Sequence, residues 1–388
     1  MPNGAWVKGD ALYDAIVIGA RCAGSPTAML LAQKGYRVLA VDRSTFPSDT
    51  MSTHVVGGDA VARLDKWGLL ERVLATGVPQ CTRPFTMIID GQEHVWDFFP
   101  DDYPQIAPRR TYLDKILVDG AREAGAEVRE GFSVRELLWE EGRVAGMRGV
   151  DADGIKVEER ARLTIGADGK WSKVARWVEA ELYNTLPGRG CFYYSYWTGV
   201  TGIDRMEFHI STGSGYVAFV FPTNDNQVCM GVGRPGADWT EFKRDPVATV
   251  AAGFAALPSL APHIGNRKQI ERLQGLKMYE SGYRKPFGPG WALVGDSAYL
   301  KDPTLGQGIN DCFRDAEYLS DAIHAGFSGS APLEEALAVY QRRRDEETAG
   351  IYQLNDLMAQ GPTAEKVAIA RQAITFMLEQ QAAAAAAG

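Results

Sequence analysis

Apolar side chains fill Tyr13–Ala20 with almost no polar interruption, and small and apolar residues then continue from a glycine break to Lys34. This pattern predicts a buried strand at Tyr13–Ala20, a helix at Gly24–Lys34 and a second strand at Tyr36–Arg43, a βαβ unit. A long polar loop, "STFPSDTMSTHVVGG", leads to a helix at Asp59–Trp67. "FTMIIDGQEHVWDFF" reads as a hairpin turning at Asp90-Gly91. Leu113, Ile116, Leu117 and Ala121 recur at helical spacing in a stretch that stops at Gly125. Strands separated by turns at Glu141-Gly142 and Asp153-Gly154 come next. From Arg189 to Glu280, alternation and dense aromatics predict an antiparallel sheet interrupted by a helix at Trp239–Ala256. "GWALVGDSAYL" is one more buried strand running into a loop, and two helical stretches close the chain. The whole reads as α/β: a nucleotide-type domain interleaved with a sheet-rich domain and followed by helices.

Composition narrows the classes. The chain has 388 residues, 45% hydrophobic and 23% charged, ordinary for a folded protein with a large core. A net charge of −8 with scattered Lys and Arg argues against nucleic acid as a partner. The one dense basic run, "QRRRDEE" at Gln341–Glu347, is neutralised within itself and reads as a solvated helix face. The five cysteines (Cys22, Cys81, Cys191, Cys229, Cys312) are dispersed, which fits neither a disulfide framework nor a metal site. No stretch has the apolar core of a signal peptide or the length of a membrane span, so a cytoplasmic protein is expected. The terminal "EQQAAAAAAG" is low-complexity and is set apart from the fold.

Three short stretches carry candidate chemistry. In "AIVIGARCAGSPTAMLLA", Gly19 supplies a tight turn and Gly24 a close helix–strand approach, but Arg21 stands where G-x-G-x-x-G has its middle glycine. Such a turn aims helix N–H groups and the dipole at a pyrophosphate. It also fits a plain strand-to-helix connection. Arg21 either reaches a phosphate or flavin edge or points to solvent. Asp42 ends the second strand, at a spacing suited to gripping an adenosine ribose. In "LTIGADGKWSKVAR", Asp168-Gly169 follows a strand. In "ALVGDSAYLKDPTLGQGIND", Gly295-Asp296 ends a buried strand, and Gly306 and Gly308 precede a helix whose first amides face a ligand edge.

Each stretch alone is uninformative, but their order resembles the FAD-binding signature of one large flavoprotein family. It includes the single-component aromatic hydroxylases of the p-hydroxybenzoate hydroxylase fold, the geranylgeranyl reductases and the flavin-dependent halogenases. The resemblance spans about residues 13–325. It implies Gly19, Ala20, Arg21 and Gly24 at the pyrophosphate turn and Asp42 with Arg43 at the adenosine end. Asp168 and Gly169 would lie near the cofactor, and Gly295-Asp296 at the ribityl chain. Pro303, Gly306, Gly308 and Ile309 would surround the isoalloxazine. Arg110, heading "RRTYLDKIL", matches the family's R-x-x-L arginine. The implied architecture is a Rossmann-like FAD-binding domain (10–80, 105–180 and 281–325) interleaved with a mainly antiparallel substrate domain (81–104 and 181–280), then C-terminal helices (326–380). "GARCAG" leans toward the reductase branch.

What is missing matters as well. There is no second dinucleotide fingerprint, so NAD(P)H is expected only as a transient donor. "VAFVFP" (Val217–Pro222) lacks the W-x-W-x-I-P of halogenases and both large aromatics of the reductases' Y-x-W-x-F-P. Strand alternation puts Tyr194 with Tyr196, and Phe219 with Phe221, on faces suited to a substrate pocket. Each is also ordinary core. His54 and His209 are the acid–base candidates, although a lone histidine is more often structural. The expectation is an FAD-dependent monooxygenase using NAD(P)H and O2, hydroxylating or epoxidising a small aromatic through a flavin C4a-hydroperoxide. The alternatives are a geranylgeranyl-reductase-like enzyme acting on an isoprenoid double bond, then a halogenase or a non-catalytic flavin-binding protein.

Overall fold

A computed structural model describes residues 6–96, 103–235, 239–277 and 279–387. The end of the expected hairpin, Asp97–Phe99, and the final Gly388 lie outside the described residues. The first sheet is a five-strand parallel array in the order Trp291–Leu293, Lys156–Gly166, Val7–Ile18, Val38–Val41, Glu127–Arg129. Phe287–Gly288 pairs antiparallel at one edge. The hairpin Ser133–Glu140/Arg143–Val150 pairs antiparallel with the first half of Lys156–Gly166. The opening strand is longer than expected. It begins at Val7, because Val7 and Lys8 pair with Val157 and Glu158 ahead of an irregularity before Leu12.

Both faces of this sheet are buried, which is why its strands read as continuous apolar runs. On one face Ala15, Val17 and Ala40 pack under the helices Gly24–Gln33, Arg110–Glu123 and Gly308–Phe327. On the other, Ile16, Ile18, Leu39 and Val41 meet Phe132, Val144 and Met147.

The second sheet runs Lys268–Gln269, Gly190–Thr198, Gln227–Pro235, Val217–Thr223, Glu207–Ile210, Phe85–Ile89, Gln92–Trp96, with Gln274–Lys277 also on Gly190–Thr198. It is antiparallel except at one place: Glu207–Ile210 pairs parallel with Phe85–Ile89. A small third sheet joins Leu182–Leu186, Ser281–Arg284 and Tyr299–Leu300. The helix expected at Trp239–Ala256 is two helices, Trp239–Phe242 and Pro246–Ala255. Asp245 takes an extended backbone and its side chain accepts from Ala248 N, starting a new helix with proline in its first turn. Phe254 and Val250 of the second helix cover the outer face of the sheet at Val220 and Val232.

The C-terminal helices Leu333–Ala359 and Ala364–Ala387 follow. Within the basic run read as solvated, Arg344 is fully buried. Its guanidinium donates to Tyr183 Oη (2.8 Å) and to the carbonyls of Arg284 and Ala298 (both 3.2 Å). The run pins the helix to the third sheet instead of facing water throughout. No helix among the described residues is long and apolar enough to cross a membrane.

Candidate active site

Three neighbouring parallel strands end at the same level, because Ile18 is in register with Gly166, and Gly166 with Leu293. Each strand is followed by one of the three glycine-containing stretches, so segments far apart in sequence emerge side by side. Hydrogen bonds lock them together: Ala167 N donates to Ile18 O (2.8 Å), Val294 N to Gly166 O (3.0 Å) and Ser297 Oγ to Gly166 O (2.6 Å). Gly19 has φ +106°, and a Cβ there would lie 2.3 Å from Ala167 O. A Cβ on Gly24 would lie 1.7 Å from Gly19 O. Neither position has room for a side chain, whatever the turn binds.

The acidic residues of the signature differ in what they are free to do. Asp42 is buried and accepts from Ala20 N and Ser44 N, each at 2.8 Å, which ties the two loops leaving the sheet. Arg43 beside it is exposed. Asp168 is committed to the next helix start, accepting from Ser172 Oγ (2.5 Å), Lys173 N (2.6 Å) and Val174 N (3.2 Å); Gly169 makes the turn with φ +75°. Asp296 is the exception: none of the described residues donates a hydrogen bond to its carboxylate. Burial, with help from Asp311 and against Lys170, Arg110 and Lys301, pushes its pKa up to about 6.

Arg21 neither extends to solvent nor stands free toward a ligand. It pairs with Asp114, donates to Ser48 Oγ (2.9 Å) and sits 5.2 Å from the centre of the Phe46 ring. Asp114, fully buried, also takes Arg110 through Nε (2.9 Å) and Nη2 (2.8 Å), and the Cys22 thiol at 3.5 Å. The sequence reading missed Asp114, although its i,i+4 spacing from Arg110 on an amphipathic helix was visible. Two guanidiniums share one carboxylate, leaving a surplus positive charge at the mouth of the glycine turn.

Pro303–Leu305 forms a single 3-10 turn, Gly306 follows in the left-handed region, and the helix Gly308–Phe327 begins with Ile309 buried behind its first residue. A Cβ on Gly308 would meet nothing within 4 Å, so the helix start is open. The Ser44–Gly57 loop folds against this turn: Val55 lies where a Cβ on Gly306 would come within 3.3 Å, and Gly57 N donates to Asn310 Oδ1 (3.0 Å).

His54 sits in that loop, fully buried, with φ +67°. Its Nε2 is hydrogen-bonded to the Tyr196 hydroxyl, and its Nδ1 has no partner among the described residues. Burial first, then the charges of Arg110 and Arg109, hold its pKa well below 6.5, so the ring is neutral. Arg109 stacks 3.5 Å from the centre of the Tyr196 ring and pairs with Asp49 (3.1 Å) and Glu271 (2.6 Å). His209 belongs elsewhere. It is in register with Ala218, on the helix-covered face of the second sheet, with both ring nitrogens bonded to Ser259 and Glu207.

Between the inner face of the second sheet and the Pro303 turn lies a cavity of about 90 Å³. Phe192, Phe208 and Phe219 form its wall, and Met358 of the helix Leu333–Ala359 and Pro362 just after that helix border it. Of the four expected pocket aromatics, Phe219 lines the cavity. Tyr194, Tyr196 and Phe221 share its face but stand behind, in the same apolar cluster. Tyr194 accepts from Ser52 N (3.0 Å), so the tyrosines anchor the loop. Phe192 was legible as the start of the same alternation; Phe208 was not, since it enters from a short separate strand.

The FAD binding domain family matches residues 12–354. A digeranylgeranylglycerophospholipid reductase of Methanosarcina acetivorans is 28% identical over 342 residues, 87% of this chain and 81% of the reductase. Among solved structures, the flavin-dependent brominase Bmp2 superposes with a TM-score of 0.80 at 20% identity, covering 90% of this chain and 87% of its own. PqsL of Pseudomonas aeruginosa, described as a probable FAD-dependent monooxygenase, superposes with a TM-score of 0.71 at 18% identity, covering 95% and 100%. The three converging glycine turns and a match over most of its length make this chain a member of the FAD binding domain family, an FAD-dependent oxidoreductase.

Proposed function

We propose that the chain is a monooxygenase that uses NAD(P)H and O2 to hydroxylate or epoxidise a small aromatic compound. The observation that carries this reading is the cavity: about 90 Å³, walled by three phenyl rings and bordered by Met358 and Pro362 at the foot of the Pro303 turn. Its phenyl-lined wall gives a single aromatic ring an apolar surface to pack against.

The residues present fit FAD. The turn at Gly19 and Gly24 offers backbone amides with no side chain in the way, and the surplus charge of Arg21 and Arg110 over Asp114 calls for an anion such as a diphosphate. Asp296 would accept from ribityl hydroxyls, and the open helix start at Gly308 would favour negative charge on the ring. Bound FAD supplies the redox chemistry, taking reducing equivalents from NAD(P)H and passing them to O2. The chain's own residues orient the substrate ring and keep His54 neutral and bonded to Tyr196 beside the cavity residue Thr53.

The test is coupled: purified holoenzyme with NADH or NADPH and a panel of phenols, read by oxygen electrode and product mass. Substrate-dependent O2 uptake with a product heavier by one oxygen atom supports the reading. NAD(P)H oxidation that consumes no O2 overturns it. A second reading, reduction of an isoprenoid double bond, is favoured by the name of the Methanosarcina relative and by the "GARCAG" turn. Saturation of a prenyl substrate without oxygen would support that second reading.

A further inference from the structure

We infer that Asp302 is the selective polar end of the cavity, where it recognises a ring bearing a hydrogen-bond donor, such as a phenolic hydroxyl or an NH group. The inference rests on the proposal that this cavity takes a single-ring substrate. Asp302 lines the cavity while only 7% exposed, with Thr53 and Thr304 on a wall that also holds Phe192, Phe208, Phe219 and Met358. The other charged lining residue, Arg234, is exposed. The position of Asp302 is fixed: its carbonyl accepts from the Asn355 amide (2.6 Å), and its Oδ1 accepts from Thr304 N (3.1 Å) and from the Thr304 hydroxyl. A carboxylate accepts about four hydrogen bonds, so acceptor capacity is left over in an apolar chamber. A ring without a donor would displace water from that carboxylate and return nothing; a ring with a donor replaces the lost bond. Because Asp302 directly precedes Pro303, the donor-bearing end of the ring would be held at the turn that faces the flavin.

The oxidised holoenzyme can be titrated with phenol and with anisole, following the flavin absorbance, in the wild type and in Asp302→Asn. Asparagine keeps an oxygen for Thr304 but turns the other atom into a donor. The expected result is phenol bound at least about tenfold more tightly than anisole by the wild type, with the preference lost or inverted in the variant. Equal binding of the two rings by the wild type, or an unchanged preference in Asp302→Asn, overturns the assignment and leaves the cavity reading standing. Failure of any ring to bind the wild type overturns the cavity reading and this inference with it. If Asp302→Asn does not retain FAD, Thr304→Val gives an independent answer. It removes a competing donor and should widen the phenol preference, and an unchanged preference counts against Asp302.

Discussion

The buried imidazole of His54 and the phenol of Tyr196 are hydrogen-bonded to each other where the Ser44–Gly57 loop meets the inner face of the second sheet. That bond is the single partner of the His54 ring, since Nδ1 has none among the described residues. Tyr196→Phe therefore leaves a buried ring with both nitrogens unsatisfied and should cost about 1–3 kcal/mol. Thermal or urea unfolding of the FAD-free protein checks this, and an unchanged midpoint would mean that the pair does not form.

The same ring sets a pH dependence. His54 has a folded pKa below its unfolded value near 6.5, so the unfolded chain binds the extra proton first. The contribution of His54 to stability is complete above about pH 6.5 and is lost as pH falls below it. His54→Gln removes that contribution, so its difference from the wild type should shrink between pH 7.5 and pH 5. A difference that stays constant across that interval contradicts a buried neutral histidine.

Much of this was readable from the chain. The buried strands ending at Ile18, Gly166 and Leu293 show as apolar runs because both faces of a parallel sheet are covered, and glycines mark where each run stops. What could not be read is who faces whom. Asp114 looks like one more acid on a helix until the fold brings Arg21 across 93 residues to meet it. His54 and His209 are equivalent in sequence; only the register of Glu207–Ile210 puts one by the cavity and the other behind the sheet. The Trp239–Ala256 segment misled because an apolar periodicity persists across Asp245, whose capping geometry starts a new helix.

Asp114 offers a direct test of the buried charge cluster. Asp114→Asn removes the one carboxylate shared by Arg21 and Arg110 and leaves two guanidiniums facing each other. The FAD-free variant should lose about 3–5 kcal/mol. Added pyrophosphate should restore more stability to the variant than to the wild type, because it supplies the missing negative charge. A variant as stable as the wild type, with no gain from pyrophosphate, would show that the cluster carries no surplus charge.

Asp296 should behave in the opposite sense from a salt-bridged acid. Its pKa of about 6 in the fold, against an ordinary 3.8, means that the folded chain holds the proton longer than the unfolded one. The charged form is therefore a burden, absent below about pH 4 and complete above about pH 6. Asp296→Asn should make the FAD-free protein more stable than the wild type by about 1–3 kcal/mol at pH 8, with the gain vanishing toward pH 4. The same change should weaken FAD retention, because the free acceptor becomes an amide. Denaturation at the two pH values and flavin release by ultrafiltration separate the effects; a variant that holds FAD as tightly as the wild type removes Asp296 from the cofactor site.

Gly24 and Gly308 both belong to the flavin signature, yet the fold gives them different reasons to be glycine. A Cβ on Gly24 would lie 1.7 Å from the Gly19 carbonyl oxygen, so Gly24→Ala must push the first helix away from the opening strand. Overlap with backbone cannot be relieved by a rotamer change, and the variant should be severely destabilised and free of flavin. A Cβ on Gly308 meets no protein atom within 4 Å, so Gly308→Ala should fold with wild-type stability in the FAD-free state, helped slightly by the better helix former. If Gly308 is open in order to admit the flavin, the cost of its methyl group should appear only when FAD is added, as weaker binding. Unfolding midpoints with and without FAD distinguish the two glycines. Equal FAD affinity in Gly308→Ala and the wild type would place the ring away from this helix start.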